Sequence, residues 1–114
     1  MSGRVHGLRG WVLQRLSAVY LALFLLFILG RLLIVPPGSA QEWRAWVGSP
    51  PVNGAWAVFF AALLIHAWVG VRDVLIDYVR PAGLRLGLLF LLGLSLLAMG
   101  YWALVVLVTA ARIP

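Results

Sequence analysis

One histidine set inside an apolar run is the residue of this sequence best suited to chemistry. His66 stands in the stretch Phe59–Val71, six residues before Arg72. At about 1.5 Å per helical residue it lies roughly 9 Å from that charge, inside a hydrocarbon layer. Ionisable side chains are rare at such depth and usually face a partner, a cavity or a cofactor. A neutral imidazole is a good ligand for iron or another metal through one ring nitrogen. It can equally hydrogen-bond a neighbouring helix and do no more.

The residues around it narrow the choice. At 100° per residue, Ala55, Ala62, His66, Gly70, Asp73 and Asp77 share one helix face. That face is a groove of small residues with one imidazole in it and carboxylates at one end. Small residues let another helix approach closely, or leave space for a flat macrocycle beside the backbone. Packing accounts for Ala62 and Gly70 and accounts less well for His66.

A second candidate is the Asp77-Tyr78 pair, flanked by Arg72 and Arg80. A phenol can donate a hydrogen bond to a carbonyl oxygen, and nearby acid and guanidinium groups can hold or relay a proton. Reduction of a quinone carbonyl needs those groups. An aromatic-belt tyrosine among interfacial salt bridges would look the same. Arg15, with Ser17, opens the first apolar run on the same side; it could pair with a haem propionate, polarise a quinone oxygen, or snorkel to lipid phosphates.

A six-coordinate haem needs two axial ligands, and this chain offers one. His6 lies before the membrane, and Met99, in the third apolar run near the opposite half, reads as lipid-facing or packing. A bis-histidine haem would therefore take its other histidine from another chain. The absence of cysteine excludes disulfides, Cys-ligated zinc and iron–sulfur ligation by this chain.

Helices in a bilayer must position these groups. Of 114 residues, 64% are hydrophobic and 11% charged, against about 45–50% and about 25% in average soluble domains. A soluble fold this small has too little interior to hide that surface. Three apolar stretches can each cross a bilayer: about 16–35, 55–78 and 86–111. The expectation is a single all-α transmembrane domain over 1–114. Pro36 and Pro37 stop the first helix, Pro50, Pro51 and Gly54 precede the second, and Arg80, Pro81 and Gly83 separate the second from the third. In the loop 36–54, Trp43 and Trp46 with Glu42 and Arg44 suggest a short turn of helix at the interface. Trp11, Trp56, Tyr101 and Trp102 read as belt anchors, Arg31 as snorkelling, and Gly93 with Gly100 as packing.

All nine basic residues are arginine, against three acids, for a formal charge of +6. They cluster at the ends of apolar runs, which speaks for topology and not for nucleic acid. Arg4, Arg9, Arg15, Arg72, Arg80 and Arg85 lie on one side, and Arg31, Arg44 and Arg112 on the other. The positive-inside rule then puts the N-terminus in the cytoplasm and the C-terminus on the outer side, which would be periplasmic in a cell that has a periplasm. The first run, with Gly38-Ser39-Ala40 after it, could pass for a signal peptide, but about 20 residues exceed a signal core of about 7–15. A retained helix is the expectation.

The stretch Leu64-Ile65-His66-Ala67-Trp68-Val69-Gly70, followed by Asp77-Tyr78-Val79-Arg80-Pro81 and Leu84-Arg85-Leu86, resembles the small hydrophobic membrane anchor of bacterial succinate dehydrogenase. The fragment Gln14-Arg15-Leu16-Ser17-Ala18 is similar to the start of that family's first helix. The resemblance implies a partner, a second three-helix membrane anchor, with haem b held between the two by one axial histidine from each. It assigns His66 to this chain's share of the haem iron and Tyr78, with Asp77, to the ubiquinone site. It also implies a flavoprotein subunit that oxidises succinate and an iron–sulfur subunit that passes electrons to ubiquinone at the cytoplasmic face. The chain would be a multi-pass anchor in the bacterial inner membrane, not an enzyme by itself. Relatives include haem-free members, which the axial histidine argues against, and fumarate reductases that run the reverse direction.

Two other classes fit parts of the pattern. A small helical-bundle transporter could use His66 and Asp73 as a proton path, although no internal repeat is visible and other intramembrane charges are lacking. A haem-free structural accessory subunit would use His66 for packing alone.

Overall fold

A computed structural model of the chain describes the backbone of residues 2–112 and the side chains of residues 8–112. Among these residues the structure is all helix: α1 Ser2–Ile34, α2 Ala40–Gly48, α3 Pro50–Tyr78 and α4 Ala82–Arg112. Three segments are long and apolar enough to cross a membrane: Leu8–Ile34, Pro50–Tyr78 and Ala82–Arg112. At about 1.5 Å per residue each is longer than the roughly 30 Å of hydrocarbon, so their ends reach the headgroup layer. The side chains of Arg4 and His6 lie outside the described residues.

The helices begin earlier than hydropathy suggests, for a physical reason in each case. Arg9 and Arg15 do not interrupt α1, because a helix satisfies its own backbone whether its side chains meet lipid or water. Pro50 and Pro51 do not precede α3 but form its first turn, where an N–H would have no intrahelical partner anyway. Gly83 likewise lies inside α4. The expected interfacial turn is α2, opened by Ser39, whose hydroxyl accepts from the Glu42 N–H at 3.1 Å. The Glu42 carboxylate accepts from the Gly38 N–H, so the two ends of the turn hold each other.

α3 is the centre. It packs along α1 on one side and α4 on the other, while α1 and α4 do not approach each other. α2 lies across α3 and α4 at the end of the bundle remote from Arg9, Arg72 and Arg80. Burial is sparse: among the described residues the buried apolar side chains are Phe24, Ile28, Val47, Val69, Leu107 and Ala110, and the buried polar one is Ser17. The outward faces of α1 and α4 are left to lipid or to another chain.

Two clusters hold the α2 end. Phe24 of α1 packs on Trp56 and Phe59 of α3, with ring centroids 5.0 and 4.9 Å apart. Val47 of α2 meets Leu107 and Ala110 of α4, backed by Trp46, Trp56 and Phe60. Trp56 is thus part of the internal aromatic cluster instead of a belt anchor. Arg31 does more than reach for water: it donates to the Val35 carbonyl beyond the end of α1 and stacks on Trp46, 5.3 Å from the ring centre. Gly93 and Gly100 face Trp68 and Leu64 of α3, as packing glycines do.

Candidate functional site

The stripe of small residues on α3 is its seam with α1. Tyr20 of α1 donates to the Ala55 carbonyl at 2.8 Å. Gly70 faces Gln14, and a Cβ at Gly70 would come within 3.3 Å of the Gln14 amide nitrogen. Further along, the Arg72 guanidinium lies across Gly10, 3.5 Å from where a Cβ would stand. The groove of α3 is therefore filled by a helix of the same chain.

His66 sits in this seam with both ring nitrogens turned to α1. Its Nδ1 is 3.1 Å from the Ser17 hydroxyl, and its Nε2 is 3.5 Å from the Gln14 amide nitrogen. The second contact is long for a hydrogen bond. Ser17 also donates to the Gln14 carbonyl at 3.0 Å, so three side chains form one small polar island. The Gln14 Oε1 is buried there without a partner. No group of three or more His, Cys, Asp or Glu among the described residues could hold a bare metal ion. As a metal ligand, His66 would act without a second ligating residue beside it among the described residues.

Asp77 and Tyr78 are not brought into one pocket. Successive helical residues point 100° apart, and here the step separates them. Asp77 lines an open trough of about 1270 Å³ between α1 and α4, together with Arg9, Leu13, Trp68, Arg72 and Asp73. Tyr78 is the last residue of α3 and 79% exposed. Arg72 pairs with Asp73 at 3.1 Å, both half-exposed. Arg15 rests on Trp11, 5.4 Å from the ring centre, and forms neither a hydrogen bond nor an ion pair with His66 or Asp77 among the described residues. Met99 is exposed and, with Trp102, edges a groove between α4 and Phe60, Leu63 and Ala67 of α3.

Gln14 and Asn53 are the residues whose parts sequence reasoning did not foresee. Gln14 stands three residues before Ser17, a spacing that puts both on one helix face, and that was the available signal. Asn53 bridges two carbonyls, Val47 at 3.1 Å and Leu107 at 3.0 Å.

A bundle of three long apolar helices, with one imidazole in its central seam and an arginine-rich end, defines an integral membrane protein. Residues 2–107 match the succinate dehydrogenase/fumarate reductase transmembrane subunit family. Over 98 residues the chain is 30% identical to the succinate dehydrogenase hydrophobic membrane anchor subunit of Coxiella burnetii, covering 86% of this chain and 85% of that one. The chain belongs to the family of succinate dehydrogenase/fumarate reductase transmembrane subunits.

Proposed function

We propose that this chain anchors a succinate:quinone oxidoreductase in the bacterial inner membrane and supplies one axial ligand to haem b and part of a quinone pocket. The observation that carries the haem assignment is His66 itself. Its Nδ1 is held by Ser17, while its Nε2 meets a long contact to an amide whose own oxygen has no partner. Displacing such an amide forfeits little hydrogen bonding, and an imidazole nitrogen is a strong ligand for iron. A lone imidazole could serve a haem, which brings further ligands of its own, and not a bare ion; Gln14, which now faces Nε2 in the seam, would have to make room.

A second anchor chain supplies the other histidine. Haem b, when bound, contributes one-electron chemistry near the quinone. Arg15, with no carboxylate partner among the described residues, could meet a propionate or a quinone oxygen. Asp77 lines the trough at the arginine-rich end and Tyr78 stands exposed beside it. Facing apart, they become one ubiquinone site only when an adjoining chain completes it, with Tyr78 donating to a carbonyl oxygen and Asp77 holding a proton. The arginine excess puts this end in the cytoplasm, where the flavoprotein and iron–sulfur subunits would dock.

The Ser17–His66 contact also supports a plainer reading, in which His66 only ties α3 to α1. A dithionite-reduced minus oxidised spectrum of the complex, purified through a tag on this chain, separates the two. Wild type and His66→Leu are compared at equal recovery of the partner subunits. A b-type band that His66→Leu abolishes or shifts is the expected result. A band identical in both, or no band from an intact wild-type complex, rules out His66 as a ligand.

A further inference from the structure

We propose that the groove between α2 and α4 holds one anionic phospholipid, its phosphate on Arg44 and Thr109 and an acyl chain along Val47, Val105 and Val106. The site is separate from His66, Asp77 and Tyr78, since α2 closes the opposite end of the bundle. Its shape follows from how the two helices cross. α2 and α4 touch where Gly48 lies against the Ala110 backbone, and crossing helices diverge away from such a point. One turn back along each helix stand Arg44 and Val106, and the wedge that opens between them is a groove of about 360 Å³.

The depth of the groove in a bilayer suits a lipid. α4 has 31 residues, about 46 Å of helix against roughly 30 Å of hydrocarbon. A centred helix leaves about 8 Å, or roughly five residues, beyond the hydrocarbon at each end, so the boundary falls near Leu107. Thr109 then stands among headgroups, while Val105 and Val106 meet acyl chains. Trp43, on the α2 side of the groove, is an indole at the depth where such rings settle. The charge is complementary to an anion. No acidic residue lines the groove, and among the described residues no carboxylate lies within ion-pair distance of Arg44. Glu42, two positions earlier, accepts from the Gly38 N–H and lines a separate cleft with Arg31. Arg112, one turn beyond Thr109, adds positive charge at the same end of α4. A guanidinium fork matches two oxygens of a phosphate diester. A helix of another protein fits less well, since one about 10 Å across would occupy 360 Å³ in less than one turn.

The test uses the whole complex, purified through a tag on this chain and titrated in detergent with phosphatidylglycerol or phosphatidylcholine. Native mass spectrometry counts the lipids retained by wild type, Arg44→Gln and Val105→Trp. Wild type should retain one phosphatidylglycerol that Arg44→Gln holds about fivefold more weakly, the equivalent of roughly 1 kcal/mol for one arginine at a lipid surface. Phosphatidylcholine should show no such difference. Val105→Trp, which fills the groove and leaves the charge, should lower retention as well. Wild-type retention in both variants overturns the proposal. So does a loss in Arg44→Gln alone, which would mean attraction to a surface charge without a groove. Loss of partner subunits from Val105→Trp would make the groove a protein interface and also overturn it, as would displacement of the lipid by an equal concentration of inorganic phosphate. Should Val105→Trp fail to fold, Thr109→Val removes the hydroxyl at nearly constant volume, and wild-type retention in that variant overturns the site on α4.

Discussion

The same substitution, glycine to alanine, should have opposite effects at two helix positions of this chain. At Gly48, the last residue of α2, a Cβ would run onto the Ala110 carbonyl oxygen, within 2.8 Å of its carbon and 3.3 Å of the Ala111 nitrogen. Carbon atoms in good contact stand about 3.5 Å apart, so α2 must retreat from α4 by roughly 0.7 Å or more. The obstacle is backbone, which no rotamer change can clear. Overpacking of this kind costs about 1–3 kcal/mol, against at most about 1 kcal/mol gained in helix propensity. The retreat also strains the Asn53 bridge and opens the Val47–Leu107–Ala110 cluster. A net loss of about 1–3 kcal/mol is the expectation. At Gly87, inside α4, a Cβ would meet nothing within 4 Å, so Gly87→Ala should be neutral or stabilising by up to about 1 kcal/mol. Thermal unfolding of the detergent-solubilised protein with its bound partners, followed by tryptophan fluorescence, reads both. Trp43 and Trp46 lie on α2 itself, with ring centroids 5.5 Å apart, and report on its detachment. A Gly48→Ala protein as stable as Gly87→Ala would refute the close α2–α4 approach.

Asn53→Ala removes the donor shared by the Val47 and Leu107 carbonyls and leaves the α2 end unsatisfied. The expected loss in the same assay is about 1–3 kcal/mol, and an unchanged midpoint would show that water replaces the amide. Tyr20→Phe deletes the 2.8 Å bond to Ala55 between α1 and α3 and should cost about 0.5–1.5 kcal/mol; a neutral result would mean that Phe24, Trp56 and Phe59 alone secure that seam. Asp73→Asn breaks an ion pair whose partners are 35% and 55% exposed. The change should stay within about 1 kcal/mol, and a larger loss would show that the pair is buried in the assembly.

Which parts of this molecule could be read from the chain depended on the distance over which the information travels. The three spans were legible because transfer into lipid is a local property of about 20 consecutive residues. The stripe from Ala55 to Asp77 was legible because helical geometry fixes which residues share a face. What the stripe meets was not legible, because the rotation of α1 against α3 is set by packing between residues some 50 positions apart, such as Ser17 and His66. The same limit applied to Trp56, which is aromatic and near a helix end, as belt residues are. Its neighbours Phe24 and Trp46 come from other helices and draw it inward. Asp77 and Tyr78 are neighbours in sequence, yet within this chain a single helical step turns only Asp77 into the trough.

The openness of the bundle bears on how such a chain can function. α1 and α4 flank α3 without meeting, and the trough between them is lined by Arg9, Arg72, Asp73 and Asp77 at one end and by apolar side chains deeper in. In lipid, exposed polar groups near the hydrocarbon are costly unless another chain or the headgroup layer satisfies them. The trough thus combines a surface that lipid tails fill poorly with charges that an adjoining chain could pair. His66 is arranged on the opposite principle: its polar needs are met within the chain by Ser17 and, weakly, by Gln14. A contact of 3.1 Å at Nδ1 and a longer one of 3.5 Å at Nε2 tie the imidazole of α3 to two side chains of α1, so that this polar group is tolerable inside an apolar bundle.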